Sequence, residues 1–117
     1  MQLQTITENN FLIVRISGEL DLLTAETFRN LIERELFQQK TKNLILNLEQ
    51  VNFIDSSGLG VILGRYKRIR EQGGVVAIVG AQPHVKRVLE LSGILRIIGL
   101  YDSEEQAKVQ SSTGKTV

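Results

Sequence analysis

Two short apolar runs constrain the fold of this chain more than any other feature. Leu44-Ile45-Leu46, within residues 43–48, and Val75-Val76-Ala77-Ile78-Val79 each place apolar side chains at consecutive positions. A strand with one face in water alternates apolar and polar residues. A near-continuous apolar run needs cover on both faces, as inside a parallel sheet. Between the runs lies a stretch over residues 57–72 with Leu59, Ile62, Leu63, Tyr66 and Ile69 at helical spacing, stopped by Gly73-Gly74. Strand, helix, strand in that order predicts a right-handed parallel crossover.

The remaining elements extend this unit in both directions. Residues 3–7 and 11–17 read as strands joined in a hairpin around Glu8-Asn9-Asn10, and residues 18–21 end the second strand. Residues 24–37 read as a helix whose apolar stripe is Ala25, Phe28, Leu31, Ile32 and Leu36, with Phe37 at its end. Residues 49–55 read as a loop carrying Val51, Phe53 and Ile54. Pro83 suits the first turn of a helix over 84–91. Residues 95–98 read as a short final strand, and 103–109 as a last helix that begins Ser-x-x-Gln. The expected fold class is α/β: a mostly parallel sheet of four to five strands with flanking helices, in the order ββαβαβα. One domain is expected over residues 1–110, with a flexible tail over 111–117.

Composition removes several chemistries. A chain of 117 residues without cysteine has no disulfides and no thiolate nucleophile or ligand. Its one histidine, His84, disfavours an all-protein zinc site. Fourteen basic against thirteen acidic residues leave a net charge of +1, which argues against binding nucleic acid through phosphate neutralisation. No metal, no cofactor and no direct nucleic-acid partner is expected. The N-terminal residues show neither a basic start nor an apolar run, and no apolar stretch approaches the ~20 residues of a membrane span. The expectations are a cytoplasmic location, no membrane association and a monomer when free.

If strands two, three and four are parallel, the loops 18–21, 49–57 and 80–82 lie together at their carboxyl edge, where open α/β sheets carry sites. The middle loop runs Phe53-Ile54-Asp55-Ser56-Ser57-Gly58-Leu59-Gly60. Two hydroxyls stand at a helix start. One can cap the helix, and a phosphate on the other would meet unpaired N–H groups and the helix dipole. The same tetrapeptide is also an ordinary helix start, so capping alone stays open. Glu19 and Asp21 read either as solvated turn residues or as the rim around Ser56. Other motifs fail. Gly58-Leu59-Gly60 is followed by Gly64, one residue too late for a dinucleotide loop, and Thr113-Gly114-Lys115-Thr116 lacks the first glycine of a phosphate loop. A Ser-His-Asp triad would have to use His84, on a different helix. In the basic run Arg65, Lys67, Arg68 and Arg70, a solvated helix face is expected, with Arg65 and Arg68 on one flank and Lys67 able to pair with Glu71; a contact to an acidic partner surface is the alternative.

The blocks Gly18-Glu19-Leu20-Asp21, Thr24-Ala25-Glu26-Thr27, Leu46-Asn47-Leu48-Glu49 and Asp55-Ser56-Ser57-Gly58-Leu59-Gly60, with Val85-Lys86-Arg87 and Ser92-Gly93 beyond them, resemble the STAS-domain anti-sigma factor antagonists. Among these, the sporulation antagonists of the anti-sigma-F factor are the nearest in pattern. The resemblance spans about residues 3–109. It implies a regulatory protein rather than an enzyme. The unmodified form would bind a partner that is both anti-sigma factor and serine kinase, freeing the sigma factor. The kinase, holding ATP and magnesium, would phosphorylate Ser56, and a serine phosphatase would reverse this. The implied partner surface comprises Asp21, Asp55, Ser56, Ser57, Gly58, Leu59 and Gly60. The alternatives are a general-stress antagonist, a scaffold in which Ser56 only caps its helix, and a small hydrolase or nucleotide-binding protein.

Overall fold

The computed structural model describes the backbone of residues 1–114 and the side chains through Ser111. Five strands, β1 (Gln2–Glu8), β2 (Phe11–Leu20), β3 (Asn43–Ile54), β4 (Val76–Val79) and β5 (Gly99–Tyr101), lie side by side in chain order. β1 runs antiparallel to β2 through a tight turn at Asn9 and Asn10, both left-handed with φ of 51° and 71°. Asparagine tolerates that conformation better than most residues. The other neighbouring pairs are parallel.

Four helices complete the fold: α1 (Ala25–Gln39), α2 (Ser56–Glu71), α3 (Pro83–Ser92) and α4 (Glu104–Gly114). Because β2 to β5 advance in one direction, right-handed crossovers bring α1, α2 and α3 to the same face. There Phe28, Ile32, Ile62, Ile69, Val85 and Leu89 pack on Leu12, Val14, Leu44, Leu46, Val76 and Ile78. The alternate positions Phe11, Ile13, Ile45, Val75, Ala77 and Val79 form a second buried layer with Ala107 of α4. The consecutive apolar runs thus have cover on both faces.

The structure corrects the sequence expectations in four places. Residues 49–54 are not a loop: β3 continues to Ile54, and β2 continues to Leu20 beside it. The pairing shifts register between Arg15 and Ser17 and again between Gly18 and Glu19, each time with an extra residue on β3. These bulges change the buried positions to Leu48, Val51 and Ile54, a spacing of three that breaks the alternation of a regular strand. Residues 95–98 are not the last strand. Gly93, at φ 84°, ends α3 and leads into a 3₁₀ turn at Ile94–Arg96, so that Ile94 and Ile98 enter the core and β5 begins only at Gly99. Phe37 is 85% exposed instead of closing the stripe of α1. The last helix extends past the expected residue 109 to Gly114; of the flexible tail expected over 111–117, residues 115–117 lie outside the described residues.

α4 opens as its Ser-x-x-Gln sequence suggested: Gln106 N–H donates to Ser103 Oγ at 3.1 Å, and the Gln106 side chain accepts from Asp102 N–H at 2.8 Å. With Ala107 its one fully buried apolar side chain among the described residues, α4 is fastened largely by charge. Glu104 accepts from Arg15 Nε and Nη2, both at 2.8 Å, and from Asn47 Nδ2 at 2.8 Å. Lys108 is buried and donates to Glu8 and, at 2.8 Å, to Glu105.

The hydrogen bonds from Arg15 hold the Glu104 carboxyl below the usual glutamate range. A carboxyl depressed on folding stabilises above its unfolded pKa and loses that contribution as pH falls through the folded value. Glu104→Gln should therefore cost about 1 kcal/mol at pH 7, given that Arg15 is 40% exposed. Urea unfolding at pH 7 and pH 3 should show a smaller acid-induced loss of stability in the variant than in the parent.

Candidate functional site

The carboxyl ends of β2, β3 and β4 converge at one edge of the sheet, and the Asp55-Ser56-Ser57-Gly58 segment stands in the middle of it. The sheet holds this segment before the helix begins. Leu20 pairs with Ile54, and Asp55 N–H donates to Leu20 O at 3.2 Å. Asp55 keeps an extended backbone, with φ −120° and ψ −171°. From that position its Oδ1 accepts from Ser57 N–H at 2.9 Å and Gly58 N–H at 3.2 Å, while its carbonyl accepts from Leu59 N–H at 3.0 Å. Asp55 is the cap of α2.

This corrects the expectation that one of the two serine hydroxyls caps the helix. Aspartate is as good a cap and stands one residue earlier, so α2 starts at Ser56 instead of 57. It also corrects the expected phosphate cradle, because two of the first-turn N–H groups are already taken by Asp55. Ser56 is exposed at the first helical position, and no side-chain hydrogen bond engages its hydroxyl among the described residues; Ser57 is half-buried. Gly58 is buried, and a Cβ placed there would lie 2.4 Å from Leu20 O. The glycine lets α2 seat its first turn on the end of β2. Gly60 is different: it is exposed, and a Cβ there would meet nothing within 4 Å. Packing does not require it, although glycine costs a helix about 1 kcal/mol relative to alanine.

Asp21 shapes the neighbouring turn. Its Oδ1 accepts from Leu23 N–H and Thr24 N–H, both at 3.1 Å. Thr24 Oγ1 in turn accepts from Asp21 N–H at 3.0 Å and donates to Glu19 O at 2.9 Å. The turn presents Leu22 and Leu23, 76% and 90% exposed, at the same edge. Beside Ser56 a groove of about 360 Å³ runs between α2 and the end of α3, lined by Leu59, Gly60, Leu63, Gly93, Ile94 and Ile97. Ile97 and Phe53 are each about half exposed. The result is an exposed hydroxyl next to the capping Asp55 and bordered by an apolar groove, the make-up of a protein-docking face.

Leu22, Leu23 and Ile97 were not singled out as site residues from sequence. Leu22-Leu23 did carry a signal: two leucines between the turn-former Asp21 and the first turn of α1 fit neither a strand nor a helix period. His84, the one base available to a serine triad, directs Nε2 to Asn52 O at 2.5 Å. Among the described residues no group of three His, Cys, Asp or Glu side chains could hold a metal ion, and no helix is long and apolar enough to cross a membrane. Arg65 and Arg68 share a flank as expected, both reaching Glu33 of α1, but Arg65 is largely buried instead of lying on the solvated face expected for it, and no Lys67–Glu71 ion pair forms among the described residues.

The STAS domain model matches residues 2–107. The chain is 40% identical over 107 residues to an anti-sigma F factor antagonist of Paenibacillus polymyxa, covering 92% of each protein. It is 27% identical to an anti-sigma-B factor antagonist of Staphylococcus aureus, covering 90% of this chain and 96% of that one. Among solved structures, the anti-sigma factor antagonist SpoIIAA in its unphosphorylated form superposes with a TM-score of 0.79 at 28% identity, covering 97% of each chain. The Bacillus cell fate determinant SpoIIAA in the phosphorylated form does so at 0.72 and 28% identity, covering 93% of this chain and 98% of that one.

Two substitutions separate packing from capping at this edge. Asp55→Ala should lower stability by about 1 kcal/mol through loss of the cap, and Asp55→Asn should restore most of it. Gly58→Ala should lower it by about 2–3 kcal/mol, because a backbone carbonyl cannot step aside as a side chain can. Thermal and urea unfolding followed by circular dichroism measure both.

Proposed function

The chain belongs to the STAS family, and on that premise we propose that it is an anti-sigma factor antagonist switched by phosphorylation of Ser56. Unmodified, it docks its Ser56 edge on an anti-sigma factor that is also a serine kinase, and the sigma factor is freed. The kinase transfers the γ-phosphoryl group of its magnesium-bound ATP to Ser56 Oγ, whose proton leaves to a base on the kinase; the products are phosphoserine and ADP. A serine phosphatase hydrolyses the ester and resets the protein. The chain's part is that of partner and substrate, not of catalyst, and its place of action is the cytoplasm.

The observation that carries this is that Ser56 is exposed and free of structural duty. Asp55 performs the capping, so the reading in which Ser56 merely caps its helix loses its physical ground. A phosphate at Ser56 adds about −1.5 to −2 charges. It would stand next to the Asp55 carboxylate, which already occupies the Ser57 and Gly58 N–H groups, so little on this chain would neutralise it. Burying that charge against a partner holding its own nucleotide phosphates is costly. The block is therefore local, and the sheet and α2 need not move. Of the sigma pathways, sporulation through sigma-F is favoured over general stress by the 40% against 27% identity to the respective relatives.

Incubation with the anti-sigma factor kinase and magnesium-ATP, followed by mass spectrometry, should place one phosphate on Ser56; its absence would remove the switch. Ser56→Ala should bind the kinase as the parent does and resist inactivation, while Ser56→Asp should bind at least tenfold more weakly. Gly60→Ala should raise helix stability by up to about 1 kcal/mol. If the bare surface beside Ser56 admits the partner, the same variant should bind several-fold more weakly in calorimetry.

A further inference from the structure

At the opposite edge of the sheet, α1 and α2 end together over a cleft of about 810 Å³. Its size is within the range of small-ligand sites. It lies 13–18 Å from Ser56, by the roughly 1.5 Å rise per residue along α2 to Arg65 and Arg68, and so belongs to a different surface from the one above. Lys40, Lys42, Arg65 and Arg68 line it, together with one carboxylate, Glu33. Both guanidiniums converge on a single oxygen of that carboxylate: Arg65 Nη1 donates to Glu33 Oε1, and Arg68 Nε stands 3.6 Å from the same atom.

The charge does not balance. Four cations against one carboxylate leave three positive charges. The C-termini of α1 and α2 offset about half a charge each. The surplus is about two. Arg65 is only 11% exposed, and its pKa is lowered, first by burial and then by the nearby Arg68 and Arg29, against the pull of Glu33. Two polar atoms in the walls, Arg65 Nε and Thr41 Oγ1, are buried without a protein partner. The rest of the lining is mixed: Asn10, Gln38 and Gln72 are polar, while Leu36, Ile69 and the Phe37 ring, 85% exposed, supply an apolar part.

We propose that this cleft binds a small organic phosphomonoester, its phosphate held by Arg65, Arg68, Lys40 and Lys42 and its apolar body lying against Phe37 and Leu36. A phosphomonoester carries about −1.5 to −2 charges near pH 7, which matches the surplus, and offers oxygens to a pair of guanidiniums. A carboxylate matches half of it, and inorganic phosphate leaves the exposed ring unused.

The test is a two-dimensional ¹H–¹⁵N titration of the whole chain, at constant ionic strength, with phenyl phosphate, inorganic phosphate and benzoate. Phenyl phosphate should produce saturable shifts at residues 36–42 and 65–72 and bind at least fivefold more tightly than the other two. Lys42→Ala combined with Arg68→Ala, both at exposed positions, should weaken it at least tenfold while leaving the spectrum outside the cleft unchanged. Phe37→Ser should abolish the preference for phenyl over inorganic phosphate. Shifts that do not saturate, shifts centred on residues 56–60, benzoate binding as tightly as phenyl phosphate, or full affinity in the double variant would each overturn the proposal.

Discussion

Asp55 ties the helix that carries Ser56 to the sheet that supports it. Through its backbone N–H it extends the pairing of β2 and β3 by one bond to Leu20 O, and through Oδ1 it closes the first turn of α2. An N-cap has non-helical backbone while its side chain reaches the helix's unpaired donors. Strand end and helix start can therefore be adjacent residues with no intervening loop. The absence of slack fixes the direction of α2, seats Gly58 against Leu20 and leaves the Ser56 side chain outward. A hydroxyl in the capping role would have turned inward instead. The exposure of Ser56 thus follows from the residue before it.

The two faces of the sheet are closed by different chemistry. On one, three helices bury large aliphatic and aromatic side chains, and the attraction is almost independent of salt and pH. On the other, α4 contributes Ala107 and a set of ion pairs and charge-assisted hydrogen bonds through Glu104 and Lys108. Partly exposed charged contacts weaken with acid and salt, whereas apolar burial does not. The C-terminal helix is therefore the element whose hold on the domain depends most on solution conditions, while the Ser56 edge rests on the robust face.

Most of the fold was legible because hydrophobic pattern reports burial directly. The consecutive apolar residues of 44–46 and 75–79 required cover on both faces, and the helical spacing of Ile62 and Ile69 pointed α2 at one of them. The second half of β3 was illegible for the same reason inverted. Two bulges shift its pairing with β2, so its buried residues fall three apart and resemble no regular element. Residues 95–98 misled because a short apolar run serves equally well in a strand or in a turn packed on a core. At the site, the Asp-Ser-Ser-Gly segment identified the place but not the division of labour within it, since all four of its residues are acceptable caps.

What the sequence determined by itself was the α/β class, the parallel order of the central strands, a helix beginning within the Asp-Ser-Ser-Gly segment and the resemblance to the STAS family, all of which depend on local pattern or contiguous blocks. Only the tertiary structure decided which side chain caps α2, that Gly58 is held by a carbonyl 38 residues earlier while Gly60 faces open space, and that Leu22, Leu23 and Ile97 share a surface with Ser56. The last two relations join residues distant in the chain, and the first follows from where the pairing of β2 with β3 ends. They are set by strand register and by the packing of one element on another, neither of which leaves a periodic trace in the residues themselves.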